Sequence, residues 1–378
     1  MTMLAITALG LLVYTYAGYP LIVAALARLR PLRQELSPPR EPTVSVCIAI
    51  HNGAQHLREK LDSLLGQDYP PEKLEVLVYS DGSTDDTDDV VRDYAARDPR
   101  IKLIRSERRI GKPTALNQLR RAARGEILLM TDVRQPLGRQ AVRELVRPLA
   151  DSRVGCVSGN LVLRGAAGSA AYWRYEKLIR RSEAELGALV GVSGCLYAIR
   201  REDFPELPRD LILDDMWVPL SILLKRKRVV FCESAEAYDD AFDDDREFSR
   251  KVRTLAGNYQ LLKIMPRILL PSNPAWFPLL SHKVARLVCP WALVALLLSS
   301  VLLALGTGEA RELGQSTAVI ELGAWQLIVS GQLLFYVLAL LGSRAGRLGT
   351  VARTFVVLNV AAVVGLLRYA RGVQQVTW

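Results

Sequence analysis

Histidine is almost absent from this sequence: His51, His56 and His282 are the only three in 378 residues. A catalytic triad built on imidazole is therefore not expected, and general-base work falls to a carboxylate. Cysteine is sparse as well. Cys47, Cys156, Cys195, Cys232 and Cys289 lie far apart, without the paired spacing of a zinc site or a small disulfide framework, and are read as reduced, buried, small apolar residues. There is no internal repeat and no low-complexity tract. Acids fall short of bases, leaving a formal charge of +10. Lys and Arg crowd beside apolar stretches and within the middle third, a placement that points to a membrane surface and nucleotide phosphates, not to nucleic acid.

What the chain has in quantity is apolar sequence, 50% of its residues, enough for one globular domain plus a few membrane helices. From Met3 to Ala27 there is no charge, and the run is long enough to cross a hydrocarbon core of roughly 30 Å. A cleavable signal peptide is the rival reading, but no Lys or Arg precedes the run while Arg28, Arg30 and Arg33 follow it. The expected domains are thus a membrane helix over 1–28, a proline-marked linker over 29–42 and a globular domain over 43–256. An interfacial segment over 257–283, with Trp276, leads to a C-terminal membrane region over 284–378. Within that region Val284 to Leu305 and Val319 to Leu341 read as spans. Glu309, Glu312 and Glu321 fit the outside, and Arg344, Arg347 and Arg353 the inside, so the expected location is the inner membrane, multi-pass, with the globular domain in the cytoplasm. Thr354 to Leu367 is short and contains Asn359; crossing and re-entrant or interfacial placements both stay open. Transport finds no support, because neither an intramembrane charge pair nor an inverted repeat is seen.

Between Thr43 and Ala237 short β-branched runs alternate with helical repeats, the pattern of a mostly parallel sheet covered by helices. Val44 to Ile50, Leu74 to Tyr79, Ile101 to Ile104 and Ile127 to Met130 read as strands, and later ones are expected at Cys156 to Leu163, Cys195 to Ile199 and Val229 to Cys232. Leu57, Leu61, Leu64 and Leu65 share one helical face, as do Val142, Leu145, Val146 and Leu149. An open α/β sheet of this kind binds its ligand in the crevice at the carboxyl ends of its strands. Three such ends deliver polar residues: Asn52 and Gly53 after the first, Asp81 to Asp85 after the second, Asp132 after the fourth. Alone, Asp-Gly-Ser is as well explained by a turn with a helix cap.

These residues carry a resemblance. The stretch from Val44 to Asp215 resembles the family 2 glycosyltransferases of the GT-A fold, a Rossmann-like α/β architecture, over roughly half the chain. The family's D-G-S-T-D turn stands as Asp81 to Asp85, its G-K-x-x-A-L-N element as Gly111 to Asn117, and its late acidic pair as Asp214 and Asp215. The resemblance implies that Asn52 and Asp81 contact the nucleoside of a donor, expected to be a UDP-sugar, with Asp81 accepting from the base. Lys112 would face the donor diphosphate, a role that Gly111 and the helix start at Pro113 also favour, although a solvated surface Lys is the ordinary alternative. Asp132 takes the first place of the D-x-D motif, but Arg134 stands where the metal-binding Asp belongs. Either Arg134 partly replaces the metal, or Asp132 holds Mg or Mn with another acid, or Arg134 turns to solvent.

By the same resemblance Asp215 is the general base for an inverting displacement, with Asp214 and a tight backbone approach at Gly194 on the acceptor side. The plainer alternatives are that the two acids only cap a helix and that Gly194 marks a bulge. Arg253 falls where processive members carry Q-x-x-R-W. It would reach the diphosphate or, equally, lie on the membrane surface; with Gln and Trp both missing, single transfer is favoured over polymerisation. The acidic run Asp239, Asp240, Asp243, Asp244 and Asp245 is read as a solvated, mobile loop that could serve as a gate. The expected function is sugar transfer to a lipid-linked or saccharide acceptor in cell-surface polysaccharide or glycolipid synthesis. Its rival is a noncatalytic nucleotide-sugar-sensing or assembly subunit, and a partner subunit is neither implied nor excluded.

Overall fold

In the computed structural model residues 1–29, 41–164, 170–240, 244–306 and 315–373 are described. The chain opens with α1 (Thr2–Val13), which continues through a π-helical turn into α2 (Tyr19–Leu29). The globular domain then runs β1 (Val44–Ile50), α3 (Ala54–Leu65), β2 (Leu74–Asp81), α4 (Thr87–Arg97), β3 (Ile101–Ser106), α5 (Lys112–Ala122) and β4 (Ile127–Thr131). It goes on through α6 (Ala141–Val146), β5 (Val154–Arg164), α7 (Ala170–Glu185), β6 (Leu196–Arg200), α8 (Asp214–Leu224), β7 (Arg228–Asp240) and α9 (Asp244–Ile264). Four helices end it: α10 (Trp276–Pro278), joined by a π-helical turn to α11 (Ala285–Ala304), then α12 (Gln315–Leu341) and α13 (Gly346–Ala370).

The strands form one sheet in the order β3-β2-β1-β4-β6-β5-β7. The first four are mutually parallel, β6 is antiparallel to both β4 and β5, and β7 lies parallel to β5. Every residue of β1 is buried, as a strand covered on both faces requires, and its sequence is apolar but for Ser45, whose hydroxyl donates to Glu75 at 2.6 Å. Val46, Ile48 and Ile50 pack with Leu57, Leu61, Val142 and Leu145 on one face, while Cys47 and Ala49 pack with Leu116, Leu119, Leu220 and Ile222 on the other. Of the cysteines only Cys232 is partly exposed, and none is paired.

Two expectations give way here. β7 extends to Asp240, so the acidic run starts in a strand and ends in a helix: Asp239 is a buried strand residue, and Asp244 and Asp245 open α9. Asp243 lies outside the described residues. The boundary drawn at 256/257 falls inside α9, a helix of 21 residues. Its apolar residues are spent on two neighbours at once, so no single amphipathic stripe gave it away. Gly257 lets α9 press on the loop before α8, where an added Cβ would come within 2.4 Å of Leu213 Cγ. On the other flank Gly365 of α13 lies so near α9 that a Cβ would stand 3.0 Å from the Val252 carbonyl oxygen and the Ala256 nitrogen.

Three helical stretches are long and apolar enough to cross a membrane among the described residues: Thr2–Leu29, Trp276–Ala304 and Gly323–Ala370, the last bending at Gly342–Ala345. The stretch left open in the sequence is one continuous helix, α13. Asn359 donates to the Tyr16 hydroxyl at 3.3 Å, tying α13 to the N-terminal helix.

Candidate active site

The carboxyl ends of β1, β2 and β4 and the starts of α5 and α8 converge as the sheet's topology demands. Asn52 adopts a φ of +53°, and its side-chain oxygen accepts from the Thr84 amide at 2.8 Å, so the end of β1 grips the Asp81–Asp85 turn. Asp81 is fully buried. Its two carboxylate oxygens accept from the amides of Ile110 and Gly111 at 2.7 and 2.9 Å, holding that segment over the strand end. A base contact by Asp81, as expected from the sequence, needs the Ile110–Gly111 segment to move off it.

Gly111 has a φ of +87°, a conformation that L side chains rarely adopt, and it turns the chain so that Lys112 begins α5. The Lys112 ammonium donates to Asp132 at 2.9 Å and lies 3.7 Å from Asp214. Burial works against its charge, but Asp132 and Asp214 together outweigh that and hold the ammonium well above the usual lysine range. Lys112, Asp132 and Asp214 are therefore one cluster, joining the end of β4 to the start of α8, 82 residues further along the chain, 132 to 214.

Asp215 follows on the first turn of α8. A Cβ on Gly194 would lie 3.5 Å from its Oδ2, an ordinary van der Waals contact, so the backbone at 194 lies against the carboxylate without requiring a glycine there. Asp215 Oδ1 is buried without a hydrogen-bond partner. Burial first and Asp214 second push the Asp215 carboxyl up to about 6, with Lys112, Arg253 and Lys283 pulling the other way. A carboxylate so placed is near neutrality in its proton affinity, as a general base should be.

Arg134 is half-exposed and held by an acid that the sequence did not offer as its partner. Its guanidinium donates to Asp239 of β7 at 2.7 Å, and Gln135 donates to the same carboxylate at 2.8 Å. Its side chain is 37% exposed, so it reaches solvent in part while Asp239 compensates its charge. Arg253, on α9, lies close enough to Asp215 to favour its ionised form. Sequence reasoning missed Asp239 because it sits in an acidic run that looks solvated. It missed Lys60 too, which is fully buried beneath the Asp132 turn and donates to Thr131 Oγ1 and the Gln135 carbonyl, both at 2.6 Å. The signal was there: Lys60 interrupts the apolar stripe of Leu57, Leu61 and Leu64. Burial lowers its ammonium to about 7.

No group of three or more metal-ligating side chains occurs among the described residues. Asp132, with 36% of its side chain exposed, is nonetheless available as one carboxylate ligand. Divalent ions in nucleotide sites characteristically use one or two carboxylates and take the rest of their shell from phosphates and water, so the residues present fit such an ion.

Comparison with known proteins agrees with this geometry. The profile of glycosyl transferase family 2 matches residues 45–207. Among curated proteins, a glycosyltransferase of Haloferax volcanii, AglE, is 26% identical over 165 residues, 44% of this chain and 54% of its own length. The poly-beta-1,6-N-acetyl-D-glucosamine synthase of Staphylococcus epidermidis is 24% identical over 185 residues, 46% of this chain and 44% of its own. The chain thus spans about half the length of the curated relatives it matches. Among solved structures, the mannosyltransferase PcManGT of Pyrobaculum calidifontis, in complex with GDP-Man and Mn2+, superposes with a TM-score of 0.74 at 25% identity. That likeness covers 97% of this chain and 99% of that one. Sheet order and these likenesses together show a GT-A-like fold whose residues 45–207 are similar to the family 2 glycosyltransferases.

Proposed function

We propose that the protein transfers a sugar, with inversion, from a nucleotide-sugar donor to a lipid-linked or saccharide acceptor at the cytosolic face of a membrane. The observation that carries this reading is the convergence of Lys112, Asp132, Asp214 and Asp215 in one crevice at the strand ends. The start of α5 and the Lys112 ammonium face the donor diphosphate, while Asn52 and Asp81 shape the nucleoside end. Asp215 accepts the proton of the acceptor hydroxyl as that oxygen bonds to the anomeric carbon. The bond from that carbon to the diphosphate oxygen breaks, and nucleoside diphosphate leaves with the electron pair. One carboxylate serving a single in-line displacement gives inversion.

Asp132 would hold a divalent ion, which supplies positive charge against the leaving diphosphate when bound. That PcManGT was solved with Mn2+ supports this, and its GDP-Man sets a guanosine donor beside the UDP-sugar expected from the resemblance. A donor screen with the purified full chain, following release of UDP or GDP, tests the reading. Turnover of one donor is expected, lost by at least about a hundredfold in Asp215→Asn with nucleotide binding kept. Substantial remaining turnover in that variant would remove Asp215 from the role.

A further inference from the structure

Beyond Asp215, toward the membrane helices, lies a second polar cluster that donor chemistry does not use. Glu176 and Glu183 project from α7. Glu183 accepts from the Tyr19 hydroxyl at 2.7 Å and lies 2.7 Å from His282 Nδ1; Glu176 pairs with Arg286 at 2.5 Å and with His282 at 3.4 Å. Those bonds leave a cationic remainder. Lys283 makes no hydrogen bond or ion pair with any described residue, though Glu176, Glu183, Arg286 and Arg180 lie around it. Nε and one terminal nitrogen of Arg286 are buried without partners. Among the described residues Arg180 donates to neutral hydroxyls, Ser158 at 2.9 Å and Ser193 at 3.3 Å.

Three cations therefore meet two carboxylates in a site screened from water, where unneutralised charge is costly. The excess faces the reacting carboxylate. Ser193 adjoins Gly194, which abuts Asp215, and Lys283 is near enough to Asp215 to favour its ionised form. Lys283 and Arg286 belong to the first turns of the apolar stretch Trp276–Ala304, and Tyr16 and Tyr175 stack on the Arg286 guanidinium at 5.9 and 5.7 Å. Aromatics and cations at the end of an apolar helix mark the headgroup level of a bilayer.

We propose that Lys283, Arg286 and Arg180 form a subsite for the phosphate or pyrophosphate headgroup of an acceptor lipid, placed so that the attached acceptor group reaches Asp215. This deepens the transferase reading and rests on it. An anion there completes the unused donors of Arg286 and Lys283, and its lipid tail continues along the membrane helices.

The test uses the full chain in detergent micelles with its donor site saturated by nucleoside diphosphate, titrated with dodecyl phosphate, dodecanol or inorganic phosphate and followed by tryptophan fluorescence. Dodecyl phosphate is expected to bind at least about tenfold more tightly than either of the others. Lys283→Met should weaken it by at least about tenfold, and Lys283→Arg should restore it, with nucleoside diphosphate affinity unchanged in both variants. Since Lys283 makes no bond on which folding depends, the methionine variant keeps the fold. Equal binding of dodecanol would reduce the site to an apolar groove; inorganic phosphate binding as tightly as dodecyl phosphate would assign it to a soluble anion. Either result overturns the proposal, as does an affinity indifferent to Lys283. Failure of the transferase reading shows separately, as absence of nucleotide-sugar turnover, while the lipid titration still reads out on its own.

Discussion

At Asp215 burial and the adjoining Asp214 carboxylate act in the same direction, and both effects can be read from solution behaviour. With the carboxyl raised to about 6, transfer should fall about tenfold per pH unit below that value, an acid limb that belongs to the Asp214–Asp215 pair. A group raised on folding adds stability below its ordinary value, and that contribution is lost as pH rises through about 6. Asp215→Asn should accordingly melt at a higher temperature than the wild type at pH 8, with the difference vanishing near pH 4, as scanning calorimetry would register. Lys60 acts beneath the same crevice. Lys60→Met leaves Thr131 and the Gln135 carbonyl without their donor, and about 1–3 kcal/mol of stability should go with it in urea titrations. Donor KM should rise as the Asp132 turn loosens.

Elements rather than residues carry the link from the membrane to the chemistry. α9 is wedged between α13 and the loop that launches α8, and Gln260 fixes that loop by accepting from the Ile212 amide at 2.9 Å and donating to the Asp210 carbonyl at 2.6 Å. Gly257→Leu should therefore lower kcat several-fold and cost about 1–3 kcal/mol, with nucleotide affinity nearly intact. Gly365→Leu, in a helix that touches no part of the crevice, should lower kcat in the same sense by a smaller factor; an unchanged kcat would mean that α13 only anchors. The strands β1, β2 and β4 were legible because buried parallel strands are dominated by apolar, β-branched residues, and the polar residues Asn52, Asp81 and Asp132 marked their carboxyl ends. β7 was legible only as far as Cys232. Its far half alternates acids with alanines, and the partner that makes Asp239 a core residue, Arg134, lies 105 residues earlier. Pairings across such distances leave no local pattern to read. The same holds for Lys283, whose meaning depends on α7.

At the scale of the whole molecule Glu183 joins the globular domain to two apolar stretches at once, accepting from Tyr19 in the first and lying 2.7 Å from His282 in the second. Glu183→Ala should cost about 3–5 kcal/mol, because it leaves His282 and the Tyr19 hydroxyl buried without their shared acceptor. Hydrogen exchange over α2 should then run faster than in the wild type as the N-terminal helix comes away from α7. That junction also sets a timetable for biosynthesis. Tyr19 leaves the ribosome 164 residues ahead of Glu183, and His282 follows Glu183 by 99. At about 5–20 residues per second, the nascent domain waits roughly 5–20 s with half of that junction unmade. A chaperone or membrane protease acting in the interval meets a domain that is still receiving β6 and β7 and whose hold on its first apolar stretch is half made, and the arrival of His282 ends that exposure before α12 and α13 are translated.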